Sequence, residues 1–449
     1  VKGSVEALLQ RCESALDREG ALVPLDPDAV RARVEAMAAQ GLRVLAFARL
    51  DGGGRTTLDH PDLTGGLTFL GLQGMIDPPR EEAIRAVAAC RRAGVSVKMI
   101  TGDHALTAAA IAAKIGLDGR PDAETLPTAL TGRELAELHD DDLIKAAGET
   151  SVFARVTPEQ KLRLVEAIQA PGAVVAMTGD GVNDAPALRR ADIGVAMGTA
   201  GTEVAKEASD MVLTDDNFAS IEAAVEEGRG VFDNLTKFIT WILPTNAGQG
   251  LVILMAVLLA QPLPVLPVQA LWINMTTAVL LGLTLAFEPR EPGLMDRPPR
   301  PPGAPILDGV LVQRILLVGL MLLVGAFGLF EWSIQQGATI EQARTVAVNV
   351  FAVGQTFYLL NCRSLRWSMF RIGVFSNPWV WAGIAAMALV QLAFTYLPVM
   401  NRLFHTAPID AGAWLPILGV GLVIYGVMGL EKTLRPRGDG QEAGARAAG

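Results

Sequence analysis

Beyond about residue 236 the sequence changes character, and six apolar runs follow one another: 238–260, 268–287, 315–332, 345–361, 380–400 and 414–430. Each is long enough, or nearly so, to cross the ~30 Å hydrocarbon core of a bilayer as a helix. Six such runs with short connectors leave no polar face for water, so this half is expected to be an α-helical membrane bundle. The fourth run is the least apolar and contains Asn349 and Gln355, which predicts that it faces other helices rather than lipid. Orientation follows from the basic residues. Arg290, Arg297 and Arg300 lie after the second run, Arg363, Arg366 and Arg371 after the fourth, and Lys432, Arg435 and Arg437 after the sixth. The alternate connectors offer only Arg344 and Arg402. The positive-inside rule then puts the basic connectors, the tail and the preceding half in the cytoplasm. The proline-rich segment 288–305 reads as a stiff cytoplasmic loop and 434–449 as a disordered tail.

The first half is of another kind. Charged residues are frequent there, and between about 65 and 220 strand-like and helix-like patterns alternate, as in a doubly wound parallel sheet. LTFLGLQGMID ends in Asp77, which precedes two prolines and the acidic helix start Glu81–Glu82. VSVKMITGD ends in Thr101, Gly102 and Asp103; SVFARV ends near Arg155; PEQKLRLVEAIQ is a helix carrying Lys161. Ahead of this region, 1–64 offers a short strand at Lys2–Gly3, helices near its start and at 29–40, and a strand at 42–50. That fragment is too short to bury a good core alone. A net charge of −9 and the lack of a basic stripe with interleaved aromatics exclude general nucleic-acid binding. Cys12, Cys90 and Cys362 are too scattered for a disulfide framework.

The densest polar cluster lies within 173–188, AVVAMTGDGVNDAPAL, where an apolar run ends in two glycines, an asparagine and two aspartates. A buried strand ending there places Asp180 and Asp184 where open α/β sheets bind ligands. Their carboxylates suit a hard cation such as Mg²⁺, with Gly179 and Gly181 allowing a tight turn. Phosphoryl transfer needs hydroxyl and amide donors, a protein cation and a metal ion, and Thr101, Lys161 and Asp180 supply these in turn.

TGDGVNDAPAL, with TGD at 101–103 and FARVTPEQK at 153–161, resembles the hinge region of the P-type ATPases, cation pumps phosphorylated on aspartate. The resemblance implies a haloacid-dehalogenase-like phosphorylation domain at 65–220, in which Thr101, Gly102, Asp103, Lys161 and Asn183 serve the phosphate and Asp180 and Asp184 hold Mg²⁺. It makes 1–64 the C-terminal remnant of a nucleotide-binding domain. Lys2 and Arg43, from KGA-like and LR-containing stretches, would contact ATP together with Arg155. Residues 221–433 become a linker helix and membrane domain, similar to the fifth to tenth helices of the calcium and sodium pump branch. On that basis Asn246, Gln249, Asn274, Thr277 and Gln355 are the transport-site candidates, and Pro244 would open the first span to free carbonyls for an ion.

The chain departs from the family pattern in two ways. Where the calcium pump has acids in its fifth, sixth and eighth helices, this sequence has Gln249, Ala278 and Gln355, so the resemblance supports cation transport more than calcium. Neither the nucleophile-bearing DKTGT motif nor the TGES loop occurs, and AGET at 147–150 reads as a plain loop. The expectation is a pump portion that needs a missing N-terminal half, binds ATP and a cation in a lipid membrane, most naturally the plasma membrane, and is inactive in isolation. The alternatives are a non-catalytic subunit or split-gene half, or a membrane-anchored phosphatase, for which no DxD or DxT nucleophile motif is found.

Overall fold

The computed structural model describes residues 1–51, 63–76, 78–119 and 126–434. Asp77, Arg435, Arg437 and the tail expected at 434–449, apart from Leu434 itself, lie outside the described residues. The chain divides into two compact units, Val1–Ala224 with Pro298–Pro302, and Val225–Arg297 with Gly303–Gly449.

The first unit holds three sheets. One combines β1 (Lys2–Gly3), β2 (Cys12–Leu16), β3 (Leu22–Pro24), β4 (Arg43–Arg49) and β5 (Leu67–Met75) in the order β1-β4-β5-β2-β3. Only β2 and β5 pair in parallel. Its core is Val5, Leu8, Ala46, Ala48, Leu67 and Phe69. β5 is the central strand, so the domain boundary expected at 64/65 falls inside this sheet rather than beside it. The apolar side chains of 1–50 cannot be covered without β5, and that physical need draws the strand across. β2 is short and mixes polar with apolar residues, and β3 is three residues ending in proline, so neither reads as a strand from sequence.

The other two sheets are parallel. β6 (Met99–Thr101), β7 (Ala129–Thr131) and β8 (Val152–Ala154) stand in the order β6-β8-β7; β9 (Ala176–Gly179), β10 (Ile193–Met197) and β11 (Met211–Leu213) in the order β11-β10-β9. Helices separate the strands in sequence, as the alternating pattern predicts for a haloacid-dehalogenase-like domain. The strands form two sheets of three instead of one, with β6 and β9 each at an edge. Phe153 and Leu164 are fully buried between sheet and helix, each side chain worth about 1.5–3 kcal/mol. Ala147, Gly148 and Glu149, expected in a loop, instead close the helix Asp140–Glu149.

Six helices of the described chain are long and apolar enough to cross a membrane: Phe218–Leu258, Pro267–Phe287, Gly309–Gln335, Ile340–Cys362, Pro378–Tyr396 and Ala411–Leu434. The fourth has the lowest mean hydropathy, 1.2, and the highest burial, 78%. Its amides therefore sit among helices, as the sequence predicts. Backbones approach closely through small residues: a Cβ on Gly248 of the first span would lie 2.9 Å from Leu322 Cβ and 3.5 Å from Gly319 Cα of the third.

The proline-rich connector is not a free loop at its start. Arg297 pairs with Asp233 at 3.0 Å, Glu291 with the buried Lys237 at 3.3 Å, and Arg290 with Glu226 at 2.8 Å and with Glu227. Asn234 donates to the carbonyls of Ala286 and Glu288. These partners, at 226–227, 233–234 and 237, are one or two turns apart and lie along one face of the first long helix. Charge pattern, more than proline stiffness, fixes residues 288–297.

Candidate functional site

The three phosphate-site motifs, at 101–103, 153–161 and 178–184, each lie at the carboxyl end of a parallel strand. β6 delivers Thr101, whose hydroxyl donates to Asp103 Oδ2 at 3.2 Å and accepts from the Asp103 amide at 3.1 Å. Gly102 between them is exposed. β8 ends at Ala154, and Arg155 follows with φ of 51°, an unfavourable left-handed setting for a side-chain-bearing residue. The Arg155 amide donates to Asp103 O at 3.2 Å and the Val156 amide to Thr101 O at 3.3 Å, so the two strand ends hold each other.

Lys161 is placed by a helix start written into the sequence. Thr157 accepts from the Gln160 amide, Gln160 accepts from the Thr157 amide at 3.0 Å, and Pro158 pre-sets the first turn. Gln160 also donates to Gly132 O at 2.6 Å, tying the helix to the start of the helix Gly132–Glu137. One turn in, Lys161 Nζ donates to Asp184 Oδ1 at 2.6 Å. The pair is largely withdrawn from solvent, with side chains 17% and 10% exposed.

Asp184 closes a short 3-10 turn, Val182–Asp184, after β9. Its second oxygen accepts from the amides of Gly181 at 3.1 Å and Asp180 at 3.3 Å. A Cβ on Gly179 would lie 2.5 Å from Asp184 Cβ, so glycine is required there for close approach rather than for a special φ. Asp180 projects differently. It is exposed, its carbonyl accepts from the Thr202 amide at 2.8 Å, and its carboxylate is left outside the Lys161–Asp184 pair. Asn183 is exposed beside it. The two aspartates thus do different work: Asp184 anchors Lys161, and Asp180 presents a carboxylate outward.

Among the described residues no group of three His, Cys, Asp or Glu side chains could enclose a metal. An ion held by one or two carboxylates with water and phosphate oxygens completing the shell is the usual Mg²⁺ arrangement, and the donor set at Asp180 fits it.

Lys2 pairs across to Phe47 in β4, and Arg43 starts the same strand. Side chains alternate along β4, so Lys2 and Arg43 project from one sheet face, opposite to the buried Ala46 and Ala48. Arg155 reaches Glu6 instead, with Nη2 to Oε1 at 2.7 Å. That bond is the main reason the Glu6 carboxyl is held below its ordinary pKa of 4.5, against a smaller upward push from burial. Glu6 is a contact the sequence reading missed, since nothing local links residues 149 apart.

In the membrane unit Gln249 Nε2 donates to Asn274 Oδ1 at 2.9 Å, joining the first and second spans. Thr277 donates to Ile273 O in its own helix at 2.7 Å. Asn246 is exposed. Gln355 is 1% exposed, and its Oε1 has no hydrogen-bond partner among the described residues. The structure therefore joins one pair of the five candidates and leaves one buried acceptor unused. Pro244 does not open its helix, which runs unbroken from Phe218 to Leu258. The proline removes the donor that would meet Thr240 O, and the buried Tyr358 hydroxyl of the fourth span meets it at 2.9 Å. That carbonyl is thus occupied by protein, contrary to the expected release for an ion.

Comparison with known proteins gives three family matches in chain order. Residues 1–82 match the cytoplasmic domain N of P-type ATPases, 161–225 the haloacid dehalogenase-like hydrolases, and 262–434 the C-terminus of cation transporting ATPases. A probable cation-transporting ATPase F of Mycobacterium tuberculosis is 57% identical over 439 residues, covering 97% of this chain and 48% of the relative. Cation-transporting ATPase pma1 of Synechocystis is 51% identical, covering 92% and 46%. A calcium-transporting ATPase of Bacillus subtilis is 38% identical, covering 94% and 47%. The chain spans about half the length of the curated relatives it matches.

Proposed function

Since the chain belongs to the P-type cation-transporting ATPases, we propose that it supplies one side of a phosphotransfer site and six membrane helices to an ATP-driven cation pump working through an aspartyl phosphate. The observation that carries this reading is the Lys161–Asp184 pair at 2.6 Å, fixed at a strand end beside the outward carboxylate of Asp180. A lysine held by a carboxylate that two backbone amides fix in turn is pre-organised to meet phosphate oxygens as charge develops on them. Thr101, with the Gly102 and Asp103 turn, would add hydroxyl and amide donors, and Asn183 would reach the same phosphate.

Mg²⁺, when bound, neutralises phosphate oxygens, and Asp180 with the Asp184 region would hold it. Lys2 and Arg43 on their shared sheet face, with Arg155, would receive ATP. The nucleophilic carboxylate is proposed to come from a second half of the pump that lies against this site. Without it the chain would not turn over ATP.

The cargo is proposed to be a cation bound through amide and hydroxyl oxygens around Gln249, Asn274 and Gln355 in a cell membrane. Calcium is the cargo named for the Bacillus relative. The test is ATP-driven uptake of labelled calcium, and separately sodium, into vesicles containing the assembled pump. Gln249→Glu should shift the ion dependence of uptake; unchanged dependence would remove Gln249 from the transport site.

A further inference from the structure

We propose that the cavity between the connector after the second span and the connector after the fourth binds the phosphate headgroup of an anionic phospholipid. The cavity measures about 250 Å³ and is lined by Glu288, Arg290, Glu291, Arg363, Trp367 and Arg371, among others. It lies wholly within the membrane unit. Its size is near the lower end of ligand pockets, about 300–1,000 Å³, which suits a headgroup with the acyl chains left outside.

Charge accounting gives the sign of the ligand. Glu288 is consumed by Arg363 Nε at 2.8 Å and Asn377 Nδ2 at 3.0 Å. Glu291 is consumed by Lys237 at 3.3 Å and Arg297 at 3.8 Å. Arg290 is held by Glu226 and Glu227. Arg371 differs: its guanidinium stacks 3.6 Å above the Trp367 ring, and no carboxylate lies within 4 Å of it among the described residues. Both acids of the lining are thus paired, and among its described residues Arg371 is the cation without a carboxylate partner. Stacking on Trp367 orients that cation while leaving its edge donors available to phosphate oxygens.

The site is also built rather than loose. Arg363 is fully buried and, besides Glu288, donates to Val374 O at 2.7 Å and Ser376 Oγ at 2.7 Å, fixing the connector that carries Arg371. Exposed rings adjoin the lining residues in sequence, Phe370 beside Arg371 and Phe375 beside Ser376. Phe370 is 71% exposed, Phe375 78% and Trp379 56%, and Trp379 packs on Phe287 with ring centres 5.6 Å apart. Phe287 ends the second span and Trp379 begins the fifth, so these rings lie at the level of the lipid headgroups. Free phosphate would leave these exposed rings in water, whereas a phospholipid offers them acyl chain.

The test uses the 449-residue chain in detergent, titrated with dihexanoyl-phosphatidylglycerol or dihexanoyl-phosphatidylcholine and read by native mass spectrometry. The glycerol lipid should bind about fivefold or more tightly than the choline lipid, the increment expected of one basic group at a membrane surface. Arg371→Gln should erase that preference and Arg371→Lys should keep part of it. Arg366→Gln, on the same connector but outside the lining, should leave it intact. Equal binding of the two lipids, or a preference that survives Arg371→Gln, overturns the proposal. So does displacement of phosphatidylglycerol by inorganic phosphate at comparable concentration.

Discussion

The different surroundings of Asp180 and Asp184 are the feature at residue scale with the sharpest consequences. Asp184 spends both oxygens on Lys161 and two amides, while Asp180 points outward. Asp184→Asn should therefore lower the maximal rate of phosphorylation about 100-fold in the assembled pump, the typical cost of a catalytic group displaced by an ångström. Asp180→Asn should instead raise the Mg²⁺ concentration needed for half-maximal rate. Rates measured across a Mg²⁺ series separate the two; a pure Mg²⁺ shift for Asp184→Asn would contradict the assignment. Glu6 and Arg155 give a pH-dependent case. The Glu6 carboxyl titrates below its ordinary 4.5 because Arg155 stabilises its charged form. Its contribution is present above 4.5 and is lost as pH falls through the depressed value. Both side chains are about half exposed, so the pair is worth no more than ~1 kcal/mol. Thermal melting of the wild type and Glu6→Gln should differ slightly at pH 7 and converge in acid. The sequence motifs made Thr101, Lys161, Asp180 and Asp184 legible because each sits at a local strand or helix boundary. Glu6–Arg155 and Tyr358–Thr240 were not legible, since each joins residues more than a hundred positions apart.

At the scale of elements, hydropathy was enough to find all six membrane helices, because lipid imposes the same demand on every turn. The strands of the first sheet were harder. β2 and β3 carry little alternation, and β5 reads equally well as the first strand of the next domain, its place being decided only by which core lacks a cover. Helix contacts in the membrane unit rest on small residues that hydropathy ignores. Gly248 is the clearest: a leucine there would collide with Leu322 of the third span. Gly248→Leu should separate the first and third spans and destabilise the unit by about 1–3 kcal/mol, as overpacking does in tight cores. Thermal unfolding in detergent checks this; an unchanged melting temperature would mean that the spans do not meet at Gly248.

At the scale of the whole molecule, the parallel strands at 99–213 and the turns and helix starts that follow them carry the lysine, the carboxylates and the TGD turns, yet the 449-residue sequence contains no DKTGT. β6 and β9, which end in the two TGD strings, each stand at the edge of a sheet among the described residues. Those facts together motivate the central claim, that this chain stabilises a phosphoryl group transferred to a carboxylate borne by another segment. The most direct measurement is labelling with γ-³²P ATP, comparing this chain alone with the chain joined to a segment carrying DKTGT. The account predicts no acid-stable label on this chain alone. With the joined segment, a hydroxylamine-labile phosphate should appear on that segment and vanish with Lys161→Ala. Acid-stable label on residues of this chain, or undiminished labelling with Lys161→Ala, would contradict it.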